Sequence, residues 1–470
     1  MVFNSFQFVF FFLFVWLCTQ MLAKHFLVRN AFLLLSSLAF YAFFKLAFLP
    51  LLLYVVLISY IGGLVLEKHR AKWVIASIVI LSLLPLLFFK YSIFLASNLI
   101  RLSCLSNCNI PEWLDRLVLP VGISFFTLQA LTYTIDVYRG KLATERNVID
   151  VALGISFFPT LLSGPITRAR DLLPQLKTRL EVTLEAFVLG CEIFIWGLFK
   201  KTVVAERLGQ YVDRLYLHPQ NYSGLSLAVG ALAYSLQIYC DFSGYSDMAI
   251  GTAKALGFSI PENFRFPYFA TGIREFWKRW HISLTSWFTE YLYISCGGNR
   301  VSKARWVVNI LLVFLVSGLW HGASWTFIIW GILHGLFYLC EYAITDKQLN
   351  KKTSYSVIQF SKAILTFFAV TFAWIFFRMP TVGDAWMVIN RIAFHLHDGK
   401  FYTTSSSFSF IIMIMVILVA IIHECHLWRQ NTKHILFKPL NQLNLAWNVA
   451  LLLAVELLGV GSNQFVYFLF

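Results

Sequence analysis

Long apolar runs, separated by short polar breaks, occupy most of this chain and restrict what it can fold into. Hydrophobic residues make up 59% of the 470 residues, whereas charged residues make up only 13%. A soluble domain has about 25% charged residues. A helix of about 20 apolar residues crosses a bilayer, so the chain has room for about 11 such spans. We therefore predict an all-α polytopic membrane protein.

Two of the apolar runs need an interpretation of their own. Residues 2–23 lack a basic leading region and a clear cleavage site, so we interpret them as a first span rather than a removed signal. Residues 148–165 are short for a span, carry Pro159 and have basic flanks on both sides, which favours a re-entrant segment buried in protein. The other runs lie near residues 26–46, 48–66, 73–89, 117–138, 183–199, 223–240, 244–257, 306–317, 325–342, 357–378, 407–425 and 445–460.

Basic residues are concentrated in the short breaks between the apolar runs. The formal net charge is +15, and the breaks at residues 67–72, 139–146 and 265–305 carry much of it. Cytoplasmic loops of membrane proteins carry an excess of Lys and Arg, which explains this charge without a nucleic-acid partner. We place these breaks in the cytoplasm.

The cysteines and the closely spaced histidines give no metal signature. The eight cysteines show no zinc spacing. Cys104 and Cys108 lie in a loop that the charge pattern places outside, where a disulfide and two free thiols are equally open alternatives. His423 and His426 lie near a predicted helix end, but two ligands at this spacing are a weak signal. No metal site is predicted.

A polar stretch with two carboxylates, residues 241–247, separates two apolar runs. Asp241 and Asp247 enclose two serines, a glycine and a tyrosine. We expect a break between helices that lines a cavity; a simple polar turn at the membrane interface is the alternative.

His321 is the ionisable residue whose position in an apolar run is energetically most costly. It follows a run that becomes strongly apolar after Arg305, and in a helix it would lie about 24 Å from that residue. This depth is past the midplane of a core about 30 Å thick. Gly318 and Gly322 permit close backbone approach or a helix break. An ionisable side chain at this depth needs a partner, a cavity or a function, so a reactive group and a hydrogen-bonded core histidine are both open.

His321 directly follows Trp320, and a second histidine, His281, likewise follows Trp280. It lies in an amphipathic segment, residues 274–294, which is expected to lie at the cytoplasmic interface or to dip into the protein. From the residues alone, a partly solvated interfacial side chain is the favoured interpretation of His281, near the cytoplasmic half of any cavity. His334, on another apolar stretch, is interpreted as a packing or bridging residue.

Eight motifs in order along the chain resemble the membrane-bound O-acyltransferase family. The branch that fits best contains the bacterial membrane subunits of alginate and peptidoglycan O-acetyltransferases. Phe-Trp-Lys-Arg-Trp-His-Ile-Ser at 276–283 and Gly-Leu-Trp-His-Gly-Ala at 318–323 carry the two histidines. Cys296 departs from the pattern, where relatives usually carry an apolar residue. The other motifs lie at residues 119–127, 157–165, 197–201, 241–246, 297–300 and 374–378.

The resemblance implies a fold in which about 11 transmembrane helices and some re-entrant or interfacial helices form a ring around a central tunnel. It implies a single membrane domain over 1–470 with a family core at 119–378. It assigns the catalytic roles to His321 and His281. The residues that we expect to contact substrate are Arg274, Trp277, Arg279, Trp280, Ser283, Trp320, Tyr239, Asp241, Ser243 and Tyr245.

The implied function is transfer of an acetyl group from cytoplasmic acetyl-CoA across the inner membrane for O-acetylation of an extracytoplasmic polysaccharide. Acetyl-CoA is then a substrate, and no bound cofactor is expected. Because no soluble polysaccharide-binding domain is recognised, the acetyl group is expected to pass to a partner, an SGNH or esterase-like O-acetyltransferase. A transporter or flippase of a polysaccharide-export system, and a structural scaffold of such a system, are the alternatives. The absence of a convincing internal repeat weakens the transporter.

Overall fold

The computed structural model describes residues 1–102, 110–345, 357–404, 407–430 and 441–461. Cys104 and Cys108 lie outside the described residues. Throughout the described ranges the secondary structure is helical, with no β-strand. The prediction of an all-α polytopic membrane protein is confirmed. The chain divides into two compact units, the first made of Met1–Phe194 and Tyr245–Pro261, the second of Ile195–Gly244 and Glu262–Phe470.

The first unit contains the N-terminal helices, and its buried residues Arg29 and Asn30 have hydrogen-bond partners inside the unit. The Arg29 guanidinium donates to the carbonyl oxygens of Leu176 and Thr178, at 2.6 and 2.8 Å. Asn30 donates to Asp150 at 2.8 Å. The helices introduced here are α1 Phe6–Met21, α2 Phe26–Ala42, α3 Leu49–Lys68, α4 Lys72–Leu102, α5 Glu112–Asp115, α6 Ile123–Tyr138, α7 Val148–Ser156, α8 Phe158–Leu161, α9 Ala169–Leu176 and α10 Leu184–Phe199, which ends in the second unit.

Two features of the first unit bear on the predicted runs. The apolar run near 73–89 is part of a longer helix, α4, because Lys90 and Tyr91 end the apolar pattern without breaking helical geometry. The run at 148–165 forms the short helices α7 and α8, which are interrupted at Phe157 and buried. At nine and four residues these helices are too short to span, as a re-entrant segment requires.

The second unit contains most of the longest helices and two π-helical turns, Lys200–Ala205 and Phe288–Tyr293. The last residues of α12 belong to the first unit. The helices are α11 Glu206–Leu217, α12 Gly224–Ala255, α13 Ile273–Arg279, α14 Ile282–Trp287, α15 Lys303–His321, α16 Trp325–Thr345, α17 Val357–Arg378, α18 Val382–Phe394, α19 Ser407–Arg429 and α20 Gln442–Leu458.

Seven of the described helices are long and apolar enough to cross a membrane, and three shorter apolar helices, α1, α2 and α20, accompany them. The count of about 11 spans and the ring around a tunnel stay predictions. The seven long segments are Leu46–Lys68, Lys72–Leu102, Gly224–Ala255, Lys303–His321, Trp325–Ile344, Val357–Arg378 and Phe408–Arg429.

The expected break at residues 241–247 is wrong, because α12 continues through this stretch as one helix of 32 residues. Lys201 donates to Asp241 at 2.6 Å, so the carboxylate is paired without unwinding the backbone. Gly244 lies where a Cβ would come within 2.7 Å of the Gly197 carbonyl oxygen. The glycine therefore allows two helices to approach closely, and the polar side chains are carried by an intact helix.

Helices α15 and α16 form a hairpin that ends at His321. A Cβ at Gly318 would overlap the carbonyl oxygen of Phe327, and a Cβ at Gly331 would overlap that of Phe314. The two glycines thus face the partner helix and let the backbones touch. The chain turns in the three residues after His321 and starts α16 at Trp325.

The close approach of α15 and α16 predicts that Gly318→Ala and Gly331→Ala each destabilise the protein. Each added methyl group must displace backbone rather than a flexible side chain, which costs about 1–3 kcal/mol. Gly383→Ala is the matched control, because the nearest atom to its Cβ is 3.7 Å away. Thermal unfolding in detergent measures the effect; equal transition temperatures for all three variants would contradict it.

Candidate active site

His321 is the last residue of α15 and is enclosed by aromatic rings. Its side chain is buried, with 3% of the residue exposed. Its ring centroid lies 4.9 Å from that of Trp320, 5.0 Å from Trp330 and 5.2 Å from Phe377. The ring is therefore enclosed by aromatic side chains and shielded from water at the end of α15.

His281 has an unusual backbone and a buried ring. Its φ of 44° and ψ of 53° place it in the left-handed region, at the break between α13 and α14. Such strained residues concentrate at functional sites. Only 1% of the residue is exposed, so the interpretation as a partly solvated interfacial side chain is wrong. Burial lowers the pKa of His281 from 6.5 to about 3, and its imidazole is neutral at neutral pH.

Asn263 fixes which nitrogen of His281 carries the proton. The backbone N–H and the hydroxyl of Ser283 both donate to Asn263 Oδ1, at 3.3 and 2.6 Å, which identifies this atom as the carbonyl oxygen. His281 Nδ1 lies 3.2 Å from the same oxygen and must therefore donate to it. In a neutral ring this leaves the lone pair on Nε2. The chain thus presents His281 Nε2 as an acceptor or a base.

The indole of Trp320 joins the two histidines into one site. Its ring centroid lies 5.8 Å from that of His281 and 4.9 Å from that of His321. The two imidazoles can be no farther apart than the sum of these distances, which is well below the thickness of a bilayer. Trp280, His281 and Ser283 are buried rather than solvated, and the different depths expected for the two histidines stay a prediction.

A cavity of about 250 Å³ is lined by residues of α13, α14 and α15, the helices that carry or flank the two histidines, and two of its lining residues are basic. Arg274, Trp277 and Lys278 from α13 line it, together with Ser317 from α15. Ser317 is about one helical turn before His321. The Arg274 guanidinium also lies 5.7 Å from the centroid of the Tyr338 ring, a cation–π arrangement. The cavity therefore connects basic side chains with the helix that ends in His321.

The structure brings some of the predicted substrate residues to the histidines and leaves others apart. Ser283 and Trp320 contact the His281 site directly, whereas Trp280 is buried with its ring 5.1 Å from that of Trp374. Arg279 pairs with Glu275 and also donates to the carbonyl oxygen of Phe266. Ser243 is buried in α12, and Tyr245 belongs to the first unit, where its ring contacts Phe3.

Tyr239 and Asp241 belong to a buried polar cluster on α12. The Tyr239 hydroxyl donates to Glu424 at 2.9 Å, and Lys200 Nζ lies 3.8 Å from the same carboxylate. Lys201 pairs with Asp241, as described above. Lys200, Lys201 and Glu424 were not among the predicted site residues. Two adjacent lysines at the end of an apolar run are the signal that points to the first two, whereas Glu424 is brought to them from a distant part of the chain.

Two other histidines, His334 and His423, lie among aromatic rings. His334 is buried with its ring centroid 4.9 Å from Trp330 and 5.0 Å from Trp277, an arrangement typical of packing. His423 lies 3.9 Å from Trp196. No group of three or more metal-ligating side chains occurs among the residues that the structure describes.

Several known proteins are similar to this chain. A family model described as MBOAT, membrane-bound O-acyltransferase family, matches residues 3–380. The "probable alginate O-acetylase" of Pseudomonas aeruginosa is 40% identical over 392 residues, 82% of this chain and 74% of that protein. The peptidoglycan O-acetyltransferase of Helicobacter pylori is 32% identical, covering 92% and 91%. The teichoic acid D-alanyltransferase of Bacillus subtilis is 27% identical, covering 61% and 72%.

The lowered pKa of His281 predicts how stability depends on pH. Between pH 6.5 and about 3 the unfolded chain binds a proton at this residue that the folded chain excludes. Above pH 6.5 this residue does not lower the free energy of unfolding, and below pH 6.5 the free energy of unfolding falls by at most about 1.4 kcal/mol per pH unit. Asparagine tolerates the left-handed backbone and does not titrate, so His281→Asn removes this pH-dependent loss.

Thermal unfolding at pH 7.5 and 5.0 measures this difference. Wild type should lose up to about 2 kcal/mol more stability on acidification than His281→Asn. His397→Asn, at an exposed histidine outside the site, should behave as wild type. An identical loss in wild type and His281→Asn would show that the folded protein accommodates the imidazolium.

Proposed function

Since the chain belongs to the membrane-bound O-acyltransferase family, we propose that it takes an acetyl group from acetyl-CoA at the cytoplasmic face and passes it across the membrane. The final acceptor is a hydroxyl of an extracytoplasmic polysaccharide. The observation that carries this proposal is the pair of buried histidines joined by Trp320, together with a cavity whose lining includes basic residues and Ser317, one turn before His321. The names of the related O-acetyltransferases support an acetyl donor and a polysaccharide acceptor.

The donor enters through the cavity that Arg274 and Lys278 line. Coenzyme A carries phosphates, and guanidinium and ammonium groups bind phosphate oxygens through charge-assisted hydrogen bonds. The apolar wall formed by Trp277 and Phe314 suits the less polar arm that carries the thioester. Ser317, also in this wall, is one turn before His321. This arrangement supports a path from bound phosphates to the reactive imidazole.

His321 acts on the acetyl group in one of two ways. As a general base it takes the proton of the acceptor hydroxyl, whose oxygen attacks the thioester carbonyl, and the departing thiolate receives a proton. As a nucleophile it attacks the thioester carbonyl with a ring nitrogen, the coenzyme A thiolate leaves and takes up a proton, and the acceptor hydroxyl then attacks the acetyl-imidazole, loses its proton and releases the neutral ring. Both routes need a neutral imidazole.

His281 has a supporting role that its hydrogen bonds define. Because Nδ1 donates to Asn263, the lone pair on Nε2 accepts a hydrogen bond from an N–H or O–H group of a substrate. The neutral ring in this form does not donate from Nε2 to a developing oxyanion. Orientation of the donor is therefore favoured over oxyanion stabilisation.

The acetyl group then passes to a partner, an SGNH or esterase-like O-acetyltransferase outside the inner membrane, which modifies the polysaccharide. The family membership favours this acyl transfer over the transporter or flippase. Acetyl-CoA enclosed on one side of proteoliposomes, with polymer and partner outside, tests the relay. Polymer acetylation by the membrane protein alone would remove the need for a partner.

His321→Ala and His321→Gln are expected to lower acetyl-CoA-dependent thiol release in these vesicles by about 10²–10⁴-fold, because an acid–base group of this kind contributes that much. His281→Asn should be impaired but active. His397→Gln, at an exposed histidine, is the control and should match wild type. Wild-type rates from either His321 variant, at normal protein levels, would contradict the proposed mechanism.

Arg274→Ala and Lys278→Ala are expected to raise KM for acetyl-CoA by about tenfold or more, since a hydrogen bond to a charged group contributes about 1.5–3 kcal/mol. The change in kcat should be small if these residues bind the phosphates alone. Lys303→Ala is the matched control, at an exposed basic residue outside the cavity. An unchanged KM in both cavity variants, measured over a range of acetyl-CoA concentrations, would place the donor elsewhere.

A further inference from the structure

A second, larger cavity lies away from the two histidines. Its volume is about 390 Å³, within the range of about 300–1,000 Å³ that is typical of ligand sites. It lies between α12, α17, α19 and the turn Pro267–Phe269. Its walls are almost entirely apolar, with Leu232, Leu236, Phe367, Ile417, Ala420 and Ile421 among the lining residues.

One side of this cavity carries the buried polar cluster described above. Lys200, Tyr239 and Glu424 all line it. Lys200 already forms an ion pair with Glu424, and Glu424 also accepts the hydroxyl of Tyr239. An anion placed there would have to compete with Glu424 for Lys200. The charge balance therefore favours an uncharged ligand segment over an anionic head group.

The cavity is continuous with an apolar surface of the protein. Ile421 lines the cavity and is 42% exposed, while Leu418 and Ile422 on the same helix are 51% and 65% exposed. This helix, α19, includes the membrane-span candidate Phe408–Arg429, whose apolar window is only 22% buried. In a bilayer such a surface contacts hydrocarbon. The cavity therefore opens where lipid chains are available.

We propose that this cavity binds one acyl chain of a membrane phospholipid, with the head group outside at the opening. The chemistry that it recognises is a long hydrocarbon chain, and the paired state of Lys200 favours a phospholipid over a free fatty acid. The site is separate from the cavity with Arg274 and Lys278, and the proposal does not depend on acetyl transfer.

The position of the cavity gives the bound chain a structural effect on the histidine site. Tyr239 and Tyr268 line the cavity, and their ring centroids lie 6.3 and 6.0 Å from that of Trp280. Trp280 directly precedes His281 in the sequence. An occupied cavity therefore supports the aromatic cluster that holds the strained His281 backbone.

A phospholipid with a cis-parinaroyl chain, whose fluorescence rises in apolar sites, tests the proposal on the full chain purified in detergent. We expect saturable binding at one site. Ala420→Trp fills the cavity and should weaken binding at least tenfold, which corresponds to about 1.4 kcal/mol. Ile422→Trp is the matched control, since this residue faces away from the cavity on the same helix, and it should bind as wild type.

A second cavity-filling variant and a second ligand complete the test. Leu236→Trp fills the cavity from α12 and replaces Ala420→Trp if that variant fails to fold, as judged by its unfolding transition. Non-saturable partition, or equal binding by filled and control variants, would overturn the proposal. Free cis-parinaric acid is tested in the same way, to distinguish a fatty acid from a phospholipid as the ligand. If the acid binds saturably and the phospholipid does not, the cavity is a fatty-acid site and the proposal is overturned.

Discussion

The hydrogen bonds that Asn263 accepts hold the site around His281 together. Asn263 Oδ1 accepts hydrogen bonds from the backbone N–H and the hydroxyl of Ser283, and from Nδ1 of His281. A buried amide left without partners would cost several kcal/mol, so the cluster is favourable only when all of these groups are in place. The strained backbone of His281, the direction of its ring and the contact with Trp320 all follow from this arrangement. A few polar atoms thus organise a region that is otherwise aromatic.

The same physical rule applies to two other polar groups in the apolar interior, Asp241 and Glu424. Asp241 stays in an unbroken helix because Lys201 reaches it, and Glu424 is matched by Lys200 and Tyr239. Breaking such pairs by removing one member costs more than the pair itself contributes, because a charge is left buried. The polar residues of α12 are therefore compatible with a membrane helix, and they place a charged cluster beside a cavity whose walls are almost wholly hydrocarbon.

Much of the fold follows from the sequence, because long apolar runs have one common solution in a bilayer. The helices α10, α16, α17 and α20 start and end close to the runs that predict them. The motifs between residues 119 and 378, including those around His281 and His321, also predicted the family, and the family model confirms it over residues 3–380. Polarity alone wrongly predicted a helix break at residues 241–247, where the pairing of Asp241 with Lys201 keeps the carboxylate inside an intact helix. Asn263 and Glu424 could not be found from local pattern, because each gains its role from residues that are remote in the chain. The burial of His281 was missed for the same reason: its basic neighbours suggest a partly solvated side chain, but aromatic rings enclose it.

The hairpin of α15 and α16 has a consequence for how the reaction proceeds. With Gly318 and Gly331 in backbone contact across the two helices, the end of α15 has no room to slide or rotate against its neighbour. The backbone of His321 is therefore held in place by the hairpin. In the proposed mechanism the donor and the acceptor have to be brought to the imidazole, while the end of α15 stays where it is.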